Sequence, residues 1–297
     1  SENIIIRNIK IITPWYAQNG DGLDLNSCRN VVVYKSMVDV GDDAICIKPG
    51  KIGKNQQSGP ACENIVIADC EVYHAHGGFV IGSESYGGAR NISVRNCIFI
   101  GTDVGLRFKS QRGRGGLIEN IFVDGIQMRD IQNEAILFDM YYGEKDTEEL
   151  VASGTELNKD NLVTHETPIF QNFYISNIVC HGAKRAVLLN GLPEMPLKNI
   201  QIKDTYITSD KGVMCTNCES IEIINCNIVS KNSPLILINQ SRNITLKKIN
   251  YSLGTDLFLK VEGEKAGNIM IQDIDFSHAK KDIEIGNNAK VNAVVRK

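Results

Sequence analysis

One short phrase, written ten times along the chain, limits the possible folds more than any other feature. It begins as Glu2-Asn3-Ile4-Ile5-Ile6, Arg29-Asn30-Val31-Val32-Val33 and Glu63-Asn64-Ile65-Val66-Ile67, and starts again at Arg90, Glu119, Gln171, Lys198, Glu219, Arg242 and Gly267. Nine of the ten copies carry Asn in second place, and Ser220 is the exception. Successive starts lie 21 to 34 residues apart, apart from one interval of 52 that contains Tyr141 to Pro168. Within each phrase apolar residues alternate with polar or β-branched ones, which is strand periodicity, and no helical period of comparable length is present. Such a period without helices between the strands predicts an all-β chain, a right-handed parallel β-helix of about ten coils. Equivalent Asn residues in neighbouring coils would then stack about 4.8 Å apart into a hydrogen-bonded ladder. A leucine-rich repeat would need Leu where this chain has Ile and Val, and a propeller would need four strands per period.

Composition narrows the function. The 297 residues hold 32 Lys and Arg against 35 Asp and Glu, a net charge of -3 with no basic cluster, so nucleic acid is not an expected partner. No apolar run approaches the roughly 20 residues that span a bilayer, and Ser1-Glu2-Asn3 does not open a signal peptide, so a soluble chain without a membrane role is expected. With 7 Pro and no Gly/Ser tract there is no linker, and 1–297 reads as one domain. Nine cysteines cannot all pair, and Cys215-Thr216-Asn217-Cys218 lacks a second pair at metal-site spacing. Packing is the expected role of the thiols, and neither metal nor cofactor is expected.

A second strand family aligns on a small residue: Gly22-Leu23-Asp24-Leu25-Asn26, Ala44-Ile45-Cys46-Ile47-Lys48, Gly78-Phe79-Val80-Ile81-Gly82 and Gly105-Leu106-Arg107-Phe108-Lys109, then the strands starting at Ala135, Ala186 and Gly212. The second and fourth residues are apolar every time and should face inward, so the third and fifth should face out. In later coils the third place is Leu137, Leu188 and Met214, but in the first and fourth it is Asp24 and Arg107.

Just ahead of that strand stand Asn19-Gly20-Asp21 in the first coil and Gly41-Asp42-Asp43 in the second. Asp21 and Asp43 share a register position one coil apart, which places two carboxylates roughly 5 Å apart with Asp42 beside them. Repulsion among three such groups is expected to raise the pKa of at least one, giving a general acid beside a general base. His76-Gly77 follows in the third coil, and Arg107 and Lys109 project two cations outward in the fourth. Any one of these motifs alone is an ordinary turn, but four on adjacent coils of one sheet point to a reaction centre. His74 reads as a surface residue, and His165, His181 and His278 have no assignable partner.

These motifs resemble glycoside hydrolase family 28, the polygalacturonases, whose signatures are Asn-Thr-Asp, Gly-Asp-Asp, Gly-His-Gly and Arg-x-Lys. Here they read Asn19-Gly20-Asp21, Gly41-Asp42-Asp43, Ala75-His76-Gly77 and Arg107-Phe108-Lys109, with Gly20 in place of Thr and Ala75 in place of Gly. The stretches Gly78 to Ser85, Gly105 to Gly116, Glu134 to Gly143 and Gly182 to Pro196 look most like exo-acting bacterial members. The resemblance implies hydrolysis of α-1,4-galacturonosyl linkages in pectin or polygalacturonate without a metal. Asp42 would be the general acid, Asp21 and Asp43 would hold and deprotonate the water, and His76 would maintain the carboxylates. Arg107 and Lys109 would bind a galacturonate carboxylate, with Asn19 and Tyr141 or Tyr142 as further sugar contacts.

The coil spacing leans towards retention, whereas the resemblance implies inversion. It also implies several coils and a cap before the Asn-x-Asp motif, whereas Asp21 lies only twenty residues in, so an open sheet end is expected there. A pectic substrate implies a periplasmic or secreted location, reached with a signal peptide that the given chain does not carry. Other readings are a calcium-dependent pectate lyase, a rhamnogalacturonan hydrolase and a non-catalytic pectin-binding β-helix. Oligomeric state is not predicted.

Overall fold

The computed structural model describes residues 1–52, 57–143, 161–286 and 288–297, and they form a right-handed parallel β-helix. Three ladders of parallel strands run along it. The first holds the repeated phrase: Glu2–Arg7 pairs with Arg29–Tyr34, that with Cys62–Ala68, and so on to Gly267–Gln272. An eleventh strand, Val294–Arg296, extends this ladder without the Asn phrase.

The second ladder has the predicted register: Leu23, Ile45, Phe79, Leu106, Ile136, Val187 and Val213 are successive neighbours. It also continues through Ile236, Leu259 and Ile283, beyond the strands found from the sequence. Those later coils fill the small-residue corner with Leu235 and Phe258, both buried, so a search for Gly or Ala passes over them.

The third ladder was not foreseen. It begins with strands of three residues, Lys10–Ile12, Met37–Asp39, Glu71–Tyr73 and Ile98–Ile100, too short to show a period.

The repeated Asn has a backbone cause. All ten second-place residues, Ser220 included, have φ between 50° and 59°. That left-handed conformation costs most L-residues about 1–2 kcal/mol, and Asn adopts it most readily after Gly. Five residues later each phrase ends on another left-handed residue, such as Asn8, Lys35, Asp69, Asn96 and Gly125. The two corners bend the chain out of each strand. At the first corner the amides form the expected ladder, Asn30 donating to Asn3 at 3.0 Å, Asn64 to Asn30 at 3.1 Å and Asn199 to Asn172 at 2.7 Å. It resumes beyond Ser220, where Asn268 donates to Asn243 at 2.8 Å. Beside it the first-place residues alternate in charge, so Glu63 meets Arg29 and Arg90, and Glu219 meets Lys198 and Arg242.

Inward residues of all three ladders make one continuous core. Its centre is aromatic: Phe108 lies 4.5 Å from Phe138 and 5.0 Å from Phe173 between ring centroids. All nine cysteines are buried and unpaired, as packing residues should be. Burial pushes the Cys62 thiol up to about 11 and those of Cys180 and Cys226 up to about 12. Cys70 is lowered by a hydrogen bond with Cys97, whose own thiol is raised by that bond. Among the described residues no helix is long and apolar enough to cross a membrane.

Candidate active site

The site is built where the chain enters the second ladder in the first four coils. Gly77 pairs with both Asp43 and Val104, so one column runs Asp21, Asp43, Gly77, Val104 and its neighbour runs Asp42, His76, Asp103. Asp21, Asp42 and Asp43 each place a carboxylate oxygen within 4.8 Å of the others. His76 stands between two acids in its column, with Nδ1 3.1 Å from Asp42 and Nε2 3.8 Å from Asp103. The Asp42 carboxylate also accepts the backbone N–H of Asp43 at 2.8 Å, which fixes its rotamer at the turn.

Arg107 and Lys109 reach this corner from two coils away. Arg107 Nη1 donates to Asp43 Oδ1 at 3.0 Å, and Lys109 Nζ donates to Asp43 Oδ2 at 2.7 Å. Asp43 is only 2% exposed, so the two cations compensate a buried charge that would otherwise be costly. They can reach because the third coil is kept bare. A Cβ on Gly77 would stand 3.3 Å from both Arg107 Cδ and Asp43 Oδ1, and one on Gly82, at φ +99°, would collide with the Lys109 carbonyl. Tyr142 roofs the pair, its ring centre 4.7 Å from Lys109 Nζ and 5.9 Å from Arg107.

Sequence reasoning counted the negative charges and left out Lys48. This lysine occupies the same strand position as Lys109, the register that would have flagged it. It hydrogen-bonds Asp21 and, at 2.9 Å, Asp24. Burial pulls the Lys48 ammonium down, but the bonds to Asp21 and Asp24 outweigh it and hold the group above its ordinary value. Burial raises Asp24, against the opposing pull of Lys48. Each acid of the trio therefore has its own counter-group: Lys48 for Asp21, His76 for Asp42, Arg107 and Lys109 for Asp43.

Asn19 is exposed at φ +49° and makes no side-chain hydrogen bond among the described residues, so the structure does not join it to the corner. Tyr141 turns inward and is buried, and only Tyr142 meets the cations. His74 pairs with Asp39 at 3.1 Å on an exposed surface, and His278 contacts the Tyr251 carbonyl, both away from the site. Outward orientation did not bring exposure, since Cys46 and Val80 face out in the second ladder and are fully buried.

Residues 1–226 match the glycosyl hydrolases family 28. The chain belongs to that family. Its family-28 relatives include a polygalacturonase of Ralstonia nicotianae, 38% identical over 134 residues that make up 44% of this chain and 23% of that protein. A probable polygalacturonase of Vitis vinifera is 26% identical over 74% of this chain and 44% of its own length. The crystal structure of a hyperthermoactive exopolygalacturonase from Thermotoga maritima superimposes with a TM-score of 0.57 at 32% identity, covering 70% of this chain and 43% of that one. The chain thus spans less than half the length of these relatives.

Proposed function

We propose that this family-28 chain hydrolyses α-1,4-galacturonosyl linkages in pectin or polygalacturonate. The observation that carries the reading is the convergence of Asp21, Asp42 and Asp43 within 4.8 Å of one another at a corner flanked by His76 and a cation pair. Asp42 gives its proton to the glycosidic oxygen as the bond to the anomeric carbon breaks. Water held by Asp21 and Asp43 adds its oxygen to that carbon and passes a proton to one of them. His76, between Asp42 and Asp103, keeps the acid oriented and returns it to its starting state.

Arg107 is the better placed of the two cations to meet a galacturonate carboxylate. Its side chain is 20% exposed against 6% for Lys109, and its Nε is buried without a partner among the described residues. A guanidinium has donors to spare after one bond to Asp43. Tyr142, over the cation pair, would meet the sugar, and Asn19 is a further sugar contact by the family resemblance alone. The likeness to the Thermotoga exopolygalacturonase supports exo action. A pectic substrate places the working protein in the periplasm or outside the cell. The unbroken ladder from Glu2–Arg7 to Val294–Arg296 supports a single domain.

The test is reducing-sugar release from polygalacturonate by the wild type and by Asp42→Asn, with chromatography of the products. Galacturonate released by the wild type, and a loss of about 10²–10⁴-fold in the variant, are expected. Release of unsaturated product, or full activity in Asp42→Asn, overturns the reading. The nearest oxygens sit at the short spacing associated with retention, while the family resemblance favours inversion. Proton NMR of the first product decides, and a retained anomer rejects the water assignment.

A further inference from the structure

The acid corner contains a charge that none of the family signatures includes. Lys48 projects from the fifth place of its strand in the second coil and bridges Asp21 and Asp24 of the coil before. Its side chain is 21% exposed, Asp21 15% and Asp24 39%, so the bridge is largely shielded from water on the Asp21 side. Two carboxylates thus share one ammonium, and only one of them belongs to the trio.

We propose that Lys48 is a positioning residue for the hydrolysis, orienting Asp21 and setting the pH below which the carboxylate corner stops working, with Asp24 competing for its charge. This rests on the reaction proposed above. Asp21 meets Asp24 of its own coil, and Lys48, Asp42 and Asp43 from the second coil. His76 and Asp103 act on it through Asp42, and Arg107 and Lys109 through Asp43. Of these groups Lys48 is the cation that bonds Asp21 itself. Without Lys48, Asp21 and Asp24 face each other with no cation between them, and the corner takes up a proton more readily as the pH falls. Without the Asp24 charge, Lys48 serves Asp21 alone and a repelling carboxylate is gone. The two substitutions should therefore move the same pH limb in opposite directions, which a merely structural role would not do. The raised Lys48 ammonium agrees with this arrangement.

The experiment follows kcat/KM against pH on a short oligogalacturonide for wild type, Lys48→Met, Lys48→Arg and Asp24→Asn. It is paired with carbon-13 NMR titration of carboxyl-labelled aspartates, the Asp21 signal being assigned by its absence in Asp21→Asn. Lys48→Met should move the acid limb and the Asp21 titration up by about 1 pH unit. Lys48→Arg should return both most of the way, and Asp24→Asn should move both down. A common limb in all four proteins, or equal loss at every pH in both Lys48 variants, overturns the proposal. Should Lys48→Met not fold, Lys48→Arg and Asp24→Asn still decide it by the sign of the shift. A folded wild type without hydrolysis would sink the reaction instead, and the NMR titration would still test the Lys48 bridge.

Discussion

The first four coils and the middle ones present the same strand in the same register, yet they differ at its third, outward place. Arg107 pairs in register with Leu137, Leu137 with Leu188, Leu188 with Met214 and Met214 with Leu237, so one position is a cation at the site and an apolar side chain in the next four coils, before charge returns at Lys260 and Glu284. The inward neighbours Leu106, Ile136 and Val187 remain apolar throughout. In a solenoid the core constrains one face of each strand, and the other is free to carry chemistry wherever the loops leave it open.

The most severe way to break this contrast is Arg107→Met, which makes the fourth coil resemble the later ones. It leaves buried Asp43 with Lys109 alone, and it should lower kcat/KM on polygalacturonate at least ~10²-fold and cost about 2–3 kcal/mol in urea unfolding. The reciprocal test is Leu188→Asn at the matching position. With Leu188 only 8% exposed, it should cost about 1–3 kcal/mol while activity per folded molecule stays unchanged. A large activity loss here would mean that the later coils belong to the site.

Two gentler changes sharpen the picture on the first ladder, where all coils are alike. Ser220→Asn should extend the amide stack to its neighbours and suit the left-handed backbone better, raising the unfolding midpoint by the equivalent of about 0.5–1 kcal/mol. Glu219→Gln should cost under ~1 kcal/mol at pH 7, since its two cations are largely exposed. Burial pushes Glu219 up, but Arg242 and Lys198 outweigh it and hold the carboxyl below its ordinary value. A carboxyl lowered on folding stabilises above its unfolded pKa, so the difference between wild type and variant should vanish as the pH falls through the folded value. Urea titrations at pH 7 and pH 3 check the sign.

The repeats made the architecture legible before any coordinates. Asn in second place marked the first corner in nine of the ten repeated phrases, and the alternating apolar pairs set the register of the second ladder. The three-residue strands of the third ladder carried too little pattern to be seen. In the site, Asp21, Asp42, Asp43 and His76 could be aligned because register is a property of the backbone. That Arg107 and Lys109 would cross an intervening coil to hold Asp43 could not, because the reach of a side chain depends on what its neighbours lack. Lys48 was visible at the same strand position as Lys109 but has meaning only once its two carboxylate partners are seen.

Glycines 77 and 82 tie the second coil to the fourth across the third, and this limits how such a gene can change. Tandem duplication or loss of a coil is the natural mode of growth for a repeat, and along most of this chain it would lengthen or shorten the stack and spare the chemistry. Between Asp43 and Arg107 it would not: one added coil would carry the cations a further ~4.8 Å away, and one removed would take the histidine with it. Insertions in that stretch should therefore be confined to loops, while the number of coils elsewhere is free to drift.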